Sequence, residues 1–178
     1  MVYLLFEAIQ KAERKTSLVV DIKSEKIFIT NNSGETQKLG EKLARSHLAR
    51  LKCTLIALYG DLGSGKTTFV QGLAKGLGIK RRIISPTFII VRSYKLGVRS
   101  FFHIDLYRIA DEKDIEGLGL EEIMEDPQNI VAIEWAEKMG RFLPRKRIDI
   151  RFVYLSERKR RITVGNLKSQ IAKLKTTT

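Results

Sequence analysis

Apolar and polar residues recur along this chain with two periods, and each switch between them marks the edge of an element. Val2, Leu5, Phe6 and Ile9 fall at helical spacing and predict an amphipathic helix over residues 1–15. Two short β-rich runs, 18–22 and 26–30, flank the polar KSE and read as a hairpin. Asn32 followed by Glu35 is a helix start, and Leu39, Leu43, Ala44 and Leu48 carry an apolar face to about residue 50. Residues 54–59 form an apolar run of buried-strand length. Phe69, Val70, Leu73, Ala74 and Leu77 then stripe a helix that fades near Gly76–Gly78. Further on, residues 88–95 and 99–106 read as strands joined at Leu96-Gly97, and helical signals around 118–124 end at Pro127. Residues 129–135 form another apolar strand; 147–154 and 159–164 alternate as a closing antiparallel pair turning at Ser156-Glu157. Strands interleaved with helices predict an α/β fold. The expected form is a single domain with a mixed, mainly parallel sheet, helices on its faces and an antiparallel portion at an edge.

The turn between strand 54–59 and its helix carries the chemistry. Gly60, Asp61, Leu62, Gly63, Ser64, Gly65, Lys66 and Thr67, followed by Thr68, spell the P-loop pattern G-x-x-x-x-G-K-T in its required strand–loop–helix setting. The glycines allow positive φ and close approach of backbone N–H groups to phosphate oxygens, and the helix dipole adds positive potential. Lys66 supplies a charge to the β- and γ-phosphates, and the Thr67 hydroxyl is placed to ligate Mg²⁺. Binding of a nucleoside triphosphate or diphosphate follows.

Two apolar strands end in acids, Asp105 and Glu134. Asp105 stands where a Walker B-type magnesium carboxylate belongs, and Glu134 is a second carboxylate for the metal or for orienting water. Pro86 stiffens the loop 84–88, so Thr87 is either a turn residue before a strand or a switch threonine that senses the γ-phosphate. Alternation puts His103 on the face of Asp105, as a satisfied core histidine or a catalytic one. Trp135 is either core packing or a cover for the nucleotide base. His47 reads as an ordinary surface histidine. Lys80-Arg81-Arg82 is a loop charge cluster or a phosphate neighbour.

Composition narrows the setting. Length fits one domain, and no apolar run approaches the ~20 residues of a membrane helix. The opening MVYLLFEAIQ lacks a basic leader region, and the single cysteine, Cys53, suits a reducing cytoplasm as a small core residue. Net charge is +13, and 12 Lys or Arg face two acids between Arg141 and Thr178. That asymmetry fits either a polyanion-facing surface, RNA or an acidic protein, or a solvated basic face. No RNA-binding motif is visible.

Four motifs, GDLGSGKTT (60–68), SPTF (85–88), HIDLYR (103–108) and IEWAEK (133–138), together resemble the TsaE (YjeE) family of bacterial P-loop ATPases over roughly residues 27–155. The resemblance implies an ATPase required for N6-threonylcarbamoyladenosine formation in tRNAs reading codons that begin with A. It implies ATP and Mg²⁺ as ligands and TsaD-type and TsaB-type proteins as partners, in a complex that ATP hydrolysis resets between turnovers. By motif match it gives Lys66 the phosphate role, Thr67 and Asp105 the metal, Thr87 the switch, Glu134 hydrolysis and metal, and Trp135 a place beside the nucleotide. Ser64 stands where the family more often has alanine. The chain then divides into an N-terminal extension (1–26) that the resemblance does not cover, an ATPase domain (27–165) and a basic tail (166–178) that is a candidate tRNA contact. Two other readings of the residues stay open. One is a small-molecule P-loop kinase with SERKRR (156–161) as an arginine lid; the other is a nucleotide-gated binding module with negligible hydrolysis. No N-K-x-D guanine reader occurs, so adenine is the expected base. Arg108 or a partner's arginine is the candidate to complete a weak hydrolytic site.

Overall fold

The computed structural model describes residues 20–22, 25–46, 48, 54–81, 83–86 and 88–165. The expected helix 1–15, His47, Cys53, Arg82, Thr87 and the tail 166–178 lie outside the described residues. Among the described residues eight strands form one sheet: β1 (Val20–Ile22), β2 (Glu25–Thr30), β3 (Thr54–Tyr59), β4 (Val91–Leu96), β5 (Arg99–Asp105), β6 (Asn129–Glu134), β7 (Ile148–Tyr154) and β8 (Arg160–Gly165). Their order is β1-β2-β8-β7-β3-β6-β5-β4. The four central strands, β7, β3, β6 and β5, run parallel. Antiparallel strands extend the sheet on both flanks, β4 on one side and β8, β2 and β1 on the other. The antiparallel portion expected at one edge thus occupies two.

Burial follows from that order. All six residues of β6 are buried, as are Leu55 to Leu58 of β3, because helices cover a parallel centre on both faces. Side chains alternate between two cores. Ile56 and Leu58 face one with Phe69, Leu73 and Leu43; Leu55 and Ala57 face the other with Ile104, Ile133, Met124 and Met139.

Among the described residues the α-helices are α1 (Ser33–Ser46), α2 (Lys66–Gly76) and α3 (Leu120–Glu125), with 3₁₀ segments at Glu112–Asp114 and, after β6, at Ala136–Phe142. A reciprocal cap starts α1. Glu35 N donates to Asn32 Oδ1 at 2.9 Å, while the Glu35 carboxylate accepts from Asn31 N at 2.8 Å. Glycines set the contact between α1 and α2: a Cβ on Gly72 would sit 2.0 Å from Gln37 O, and one on Gly40 2.3 Å from Phe69 O. The backbones therefore touch, and α1 fixes the axis of the helix whose first residue is Lys66. No helix among the described residues is long and apolar enough to cross a membrane.

Candidate functional site

The glycine loop connects β3, at the centre of the sheet, to α2. Gly60, Gly63 and Gly65 all have positive φ (134°, 74° and 103°), and Gly65 stands immediately before α2. At Gly60 two demands coincide, since a Cβ there would also lie 2.6 Å from Phe152 O. Lys66 folds back over the loop, its Nζ donating to Gly60 O at 2.6 Å and Asp61 O at 2.9 Å. Burial pushes the Lys66 ammonium below its ordinary pKa, and the carboxylates of Glu134, Glu137, Asp105 and Asp61 oppose the shift. A buried cation held by two loop carbonyls, beside the glycine-rich turn, is prepared for an anion.

The two strand-end acids are neighbours by register: Asp105 of β5 pairs with Glu134 of β6 in the parallel ladder. Both are buried, and both point to the carboxyl ends of the parallel strands, where the glycine loop also lies. Each carboxylate is held by donors. Thr67 Oγ1 donates to Glu134 Oε2 at 2.9 Å, and His103 Nε2 lies 2.8 Å from Glu134 Oε1. Asp105 accepts from the Ser85 hydroxyl and, at 3.0 Å, from Tyr107 N. His103 thus packs as a buried partner of Glu134.

Trp135 follows Glu134 with φ 60°, a left-handed conformation uncommon for a large side chain. Its ring lies 4.0 Å from Lys66 Nζ and 5.3 Å from the Tyr107 ring. Lys138 reaches across to Tyr107 O and Ile109 O and so secures the chain after β5. Leu62 to Thr68, Ser85, Asp105, Tyr107, Glu134 and Trp135 enclose a cavity of about 410 Å³.

A second cavity, about 390 Å³, lies against Gly63, Gly65 and Thr68 as well, and is closed by Asn32, Ser33, Thr36, Glu157, Arg158 and Arg160. Its walls come from the start of α1 and from the β7–β8 hairpin.

Of the residues singled out in the sequence, Lys66, Thr67, Asp105, Glu134 and Trp135 meet at the first cavity. Gly60 and Asp61 do not line it; they hold Lys66 through their carbonyls. Arg108 lies over the exposed Phe88 ring, its Cζ 4.1 Å from the centroid, and lines neither cavity. Lys80 and Arg81 are exposed and line neither. Ser85, Tyr107, Lys138 and Arg160 belong to the site without having been picked out individually. Tyr107 was legible as the next residue on the Asp105 face, and Ser85 as the residue before a loop proline. Nothing in local spacing signals Arg160. The segment 156–161 lies in the β7–β8 turn and the start of β8, so it is part of the sheet rather than a separate lid.

The donor set fits a magnesium ion. Thr67 offers a hydroxyl and Asp105 and Glu134 offer paired carboxylates, all hard oxygen ligands on one cavity wall. Among the described residues no group of three or more His, Cys, Asp or Glu forms an all-protein metal cage.

Comparison with known proteins agrees with this architecture. Residues 30–162 match the family model described as threonylcarbamoyl adenosine biosynthesis protein TsaE. The chain is 44% identical over 115 residues to the tRNA threonylcarbamoyladenosine biosynthesis protein TsaE of Bacillus subtilis (strain 168), covering 63% of this chain and 71% of that one. It is 38% identical over 152 residues to the protein of the same description from Nostoc sp. (strain PCC 7120), covering 84% and 90%. A crystal structure of Bacillus subtilis YdiB superposes with a TM-score of 0.69 at 28% identity, over 89% of this chain and 99% of that one. A glycine loop at the head of a parallel sheet, two register-paired acids beside it and a family match across both place the chain in the TsaE family.

Proposed function

We propose that this chain is a magnesium-dependent ATPase that serves tRNA threonylcarbamoyladenosine biosynthesis. The observation that carries the reading is the meeting of Lys66, Thr67, Asp105 and Glu134 at one cavity beside the glycine loop. The relatives' names supply the pathway.

In this reading the β- and γ-phosphates of ATP lie on the loop amides, and Lys66 exchanges its two carbonyl partners for phosphate oxygens. Thr67, Asp105 and Glu134 would hold magnesium, which supplies charge neutralisation at the phosphates when bound. Glu134, kept in place by His103, orients a water for attack on the γ-phosphorus. The bond to the β-phosphate oxygen breaks, ADP leaves, and the water's proton passes to the carboxylate or the released phosphate. Thr87 is the switch residue of this reading. Trp135, whose ring lies over Lys66, stands beside the nucleotide.

Among the described residues, no arginine lines the first cavity. Turnover by the chain alone is therefore slow, and a TsaD-type and TsaB-type complex raises it by completing the site or releasing product. Hydrolysis then resets that complex between rounds of modification of tRNAs reading codons that begin with A. The basic C-terminal part contacts tRNA. Reconstitution tests the whole reading: the chain should restore multiple-turnover threonylcarbamoylation of tRNA to a mixture lacking only it. A mixture that turns over equally well without it would defeat the proposal.

A further inference from the structure

An anion nest works only when its peptide planes face the right way. In a trans peptide N–H and C=O point in opposite directions, so a loop that aims N–H groups at a phosphate aims carbonyls away from it. Those carbonyls then need donors of their own. The described residues contain no cis peptide, and two outward carbonyls of this loop share one donor. Arg160, the first residue of β8, donates through Nε to Ser64 O at 3.2 Å and through Nη2 to Gly63 O at 3.3 Å.

The rest of the guanidinium is equally occupied. Nη1 donates to Ser156 O, Glu157 O and Lys159 O at 2.9, 3.2 and 3.0 Å. The group lies on the Tyr154 ring, with Cζ 3.6 Å from its centroid. One edge of a rigid planar fork thus grips the β7–β8 turn while the other grips the loop, a division that a lysine's single ammonium cannot reproduce. Ser64 O belongs to the same peptide as the N–H of Gly65, the last loop residue before Lys66. The Gly63–Ser64 peptide is fixed a second time, since Ser64 N donates to Asp61 O at 3.2 Å.

We propose that Arg160 is a positioning residue for nucleotide binding: by clamping the outer carbonyls of Gly63 and Ser64 to the β7–β8 turn, it holds the loop so that the Ser64–Gly65 peptide presents the Gly65 N–H to the β-phosphate. The proposal rests on the phosphate-binding reading of the loop. It also explains why a basic hairpin, far from the carboxylates in sequence, is part of this site.

The test is titration of the full-length chain with ADP and with AMP, for the unmodified protein, Arg160→Ala and Arg160→Lys, alongside amide NMR spectra of each ligand-free protein. Loss of two charge-assisted hydrogen bonds to the loop should weaken ADP binding by about ten-fold in Arg160→Ala. AMP binding, which lacks the β-phosphate, should change less than about two-fold. The Gly65 amide resonance should move while those of β3 and β6 stay in place. Arg160→Lys keeps the charge but cannot bridge both sets of carbonyls, and should lose about three-fold for ADP. ADP affinity of Arg160→Ala within two-fold of the unmodified protein overturns the proposal. Equal losses for ADP and AMP overturn it too, by assigning Arg160 to the nucleoside end. If Arg160→Ala does not fold, undiminished ADP affinity in Arg160→Lys overturns it instead. No ADP binding by the unmodified protein removes the phosphate reading itself, and the proposal with it.

Discussion

On one side of the glycine loop stand two carboxylates carried by strand ends; on the other stand arginines carried by a hairpin turn. The carboxylates, Asp105 and Glu134, are 3% and 2% exposed and sit opposite each other in a parallel ladder. Glu157 and Arg158 are exposed, and Arg160 is half-buried. Two acids repel when brought together out of water, so only a rigid carrier keeps them paired, and each needs donors to offset desolvation. Thr67, His103, Ser85 and the nearby Lys66 supply that compensation. An arginine needs no such carrier, because its fork defines the geometry of whatever it binds. The paired acids thus stand on the stiff side, and the arginine that reaches the loop stands on the side that touches solvent.

Breaking the stiff side should cost most. Lys66→Ala removes the charge facing the terminal phosphates, and ATP turnover should fall by about a hundred-fold or more, read as kcat/KM in a phosphate-release assay. Near-normal turnover would take Lys66 out of the chemistry. Glu134→Gln keeps a hydrogen-bonding shape but removes the base, so hydrolysis should also drop by about a hundred-fold. Its ADP affinity should stay within about three-fold, because the loop amides are untouched. A variant that instead hydrolyses normally would leave Glu134 with a structural role only.

The support of the loop can be strained from beneath. Gly72→Ala places a methyl group against the α1 backbone at Gln37 O and must push α1 and α2 apart. Urea unfolding should show about 2 kcal/mol of lost stability, since overpacking of this kind typically costs 1–3. Gly97→Ala meets no atom within 4 Å but has φ 67°, so about 1 kcal/mol is expected from backbone strain alone. Equal losses at the two positions would mean that helix contact does not set the position of α2. On the solvent side the smallest effect is expected: Arg158→Ala should alter ADP affinity by less than about two-fold, as befits an exposed charge. It should nevertheless flatten the salt dependence of tRNA binding by roughly one unit of log–log slope if that surface meets phosphates.

Most of the scaffold was legible because its signals are local. The hairpin before α1, the cap formed by Asn32 and Glu35, the loop glycines and the alternation of β7 and β8 each depend on residues a few positions apart. The differences have physical causes. The strand predicted from residue 88 begins at Val91, because Ile89 N and Ile90 N both donate to Pro86 O and Ile90 takes φ 62°. That turn delays the ladder. Arg108 lies next to HIDLY in sequence, yet its guanidinium goes to Phe88, where a flat aromatic face competes for a flat cation. Antiparallel strands finish the sheet on both flanks because the β4–β5 hairpin puts β4 on one edge while β8, returning from β7, carries β2 and β1 on the other, and a linear reading has no means of counting edges.

The sequence by itself determined the glycine loop, since a run of glycines ending in Lys66 and Thr67 between a strand and a helix allows few other backbone paths. It also placed an acid at the end of each of two apolar strands. Only the tertiary structure decided that those acids are register partners, that Glu134 is shared by Thr67 and His103, and that Arg160 reaches the loop. Those contacts join residues 31, 67 and 96 positions apart. Periodicity records which way a side chain faces along its own element; which elements become neighbours is settled by burial of apolar faces across the whole sheet.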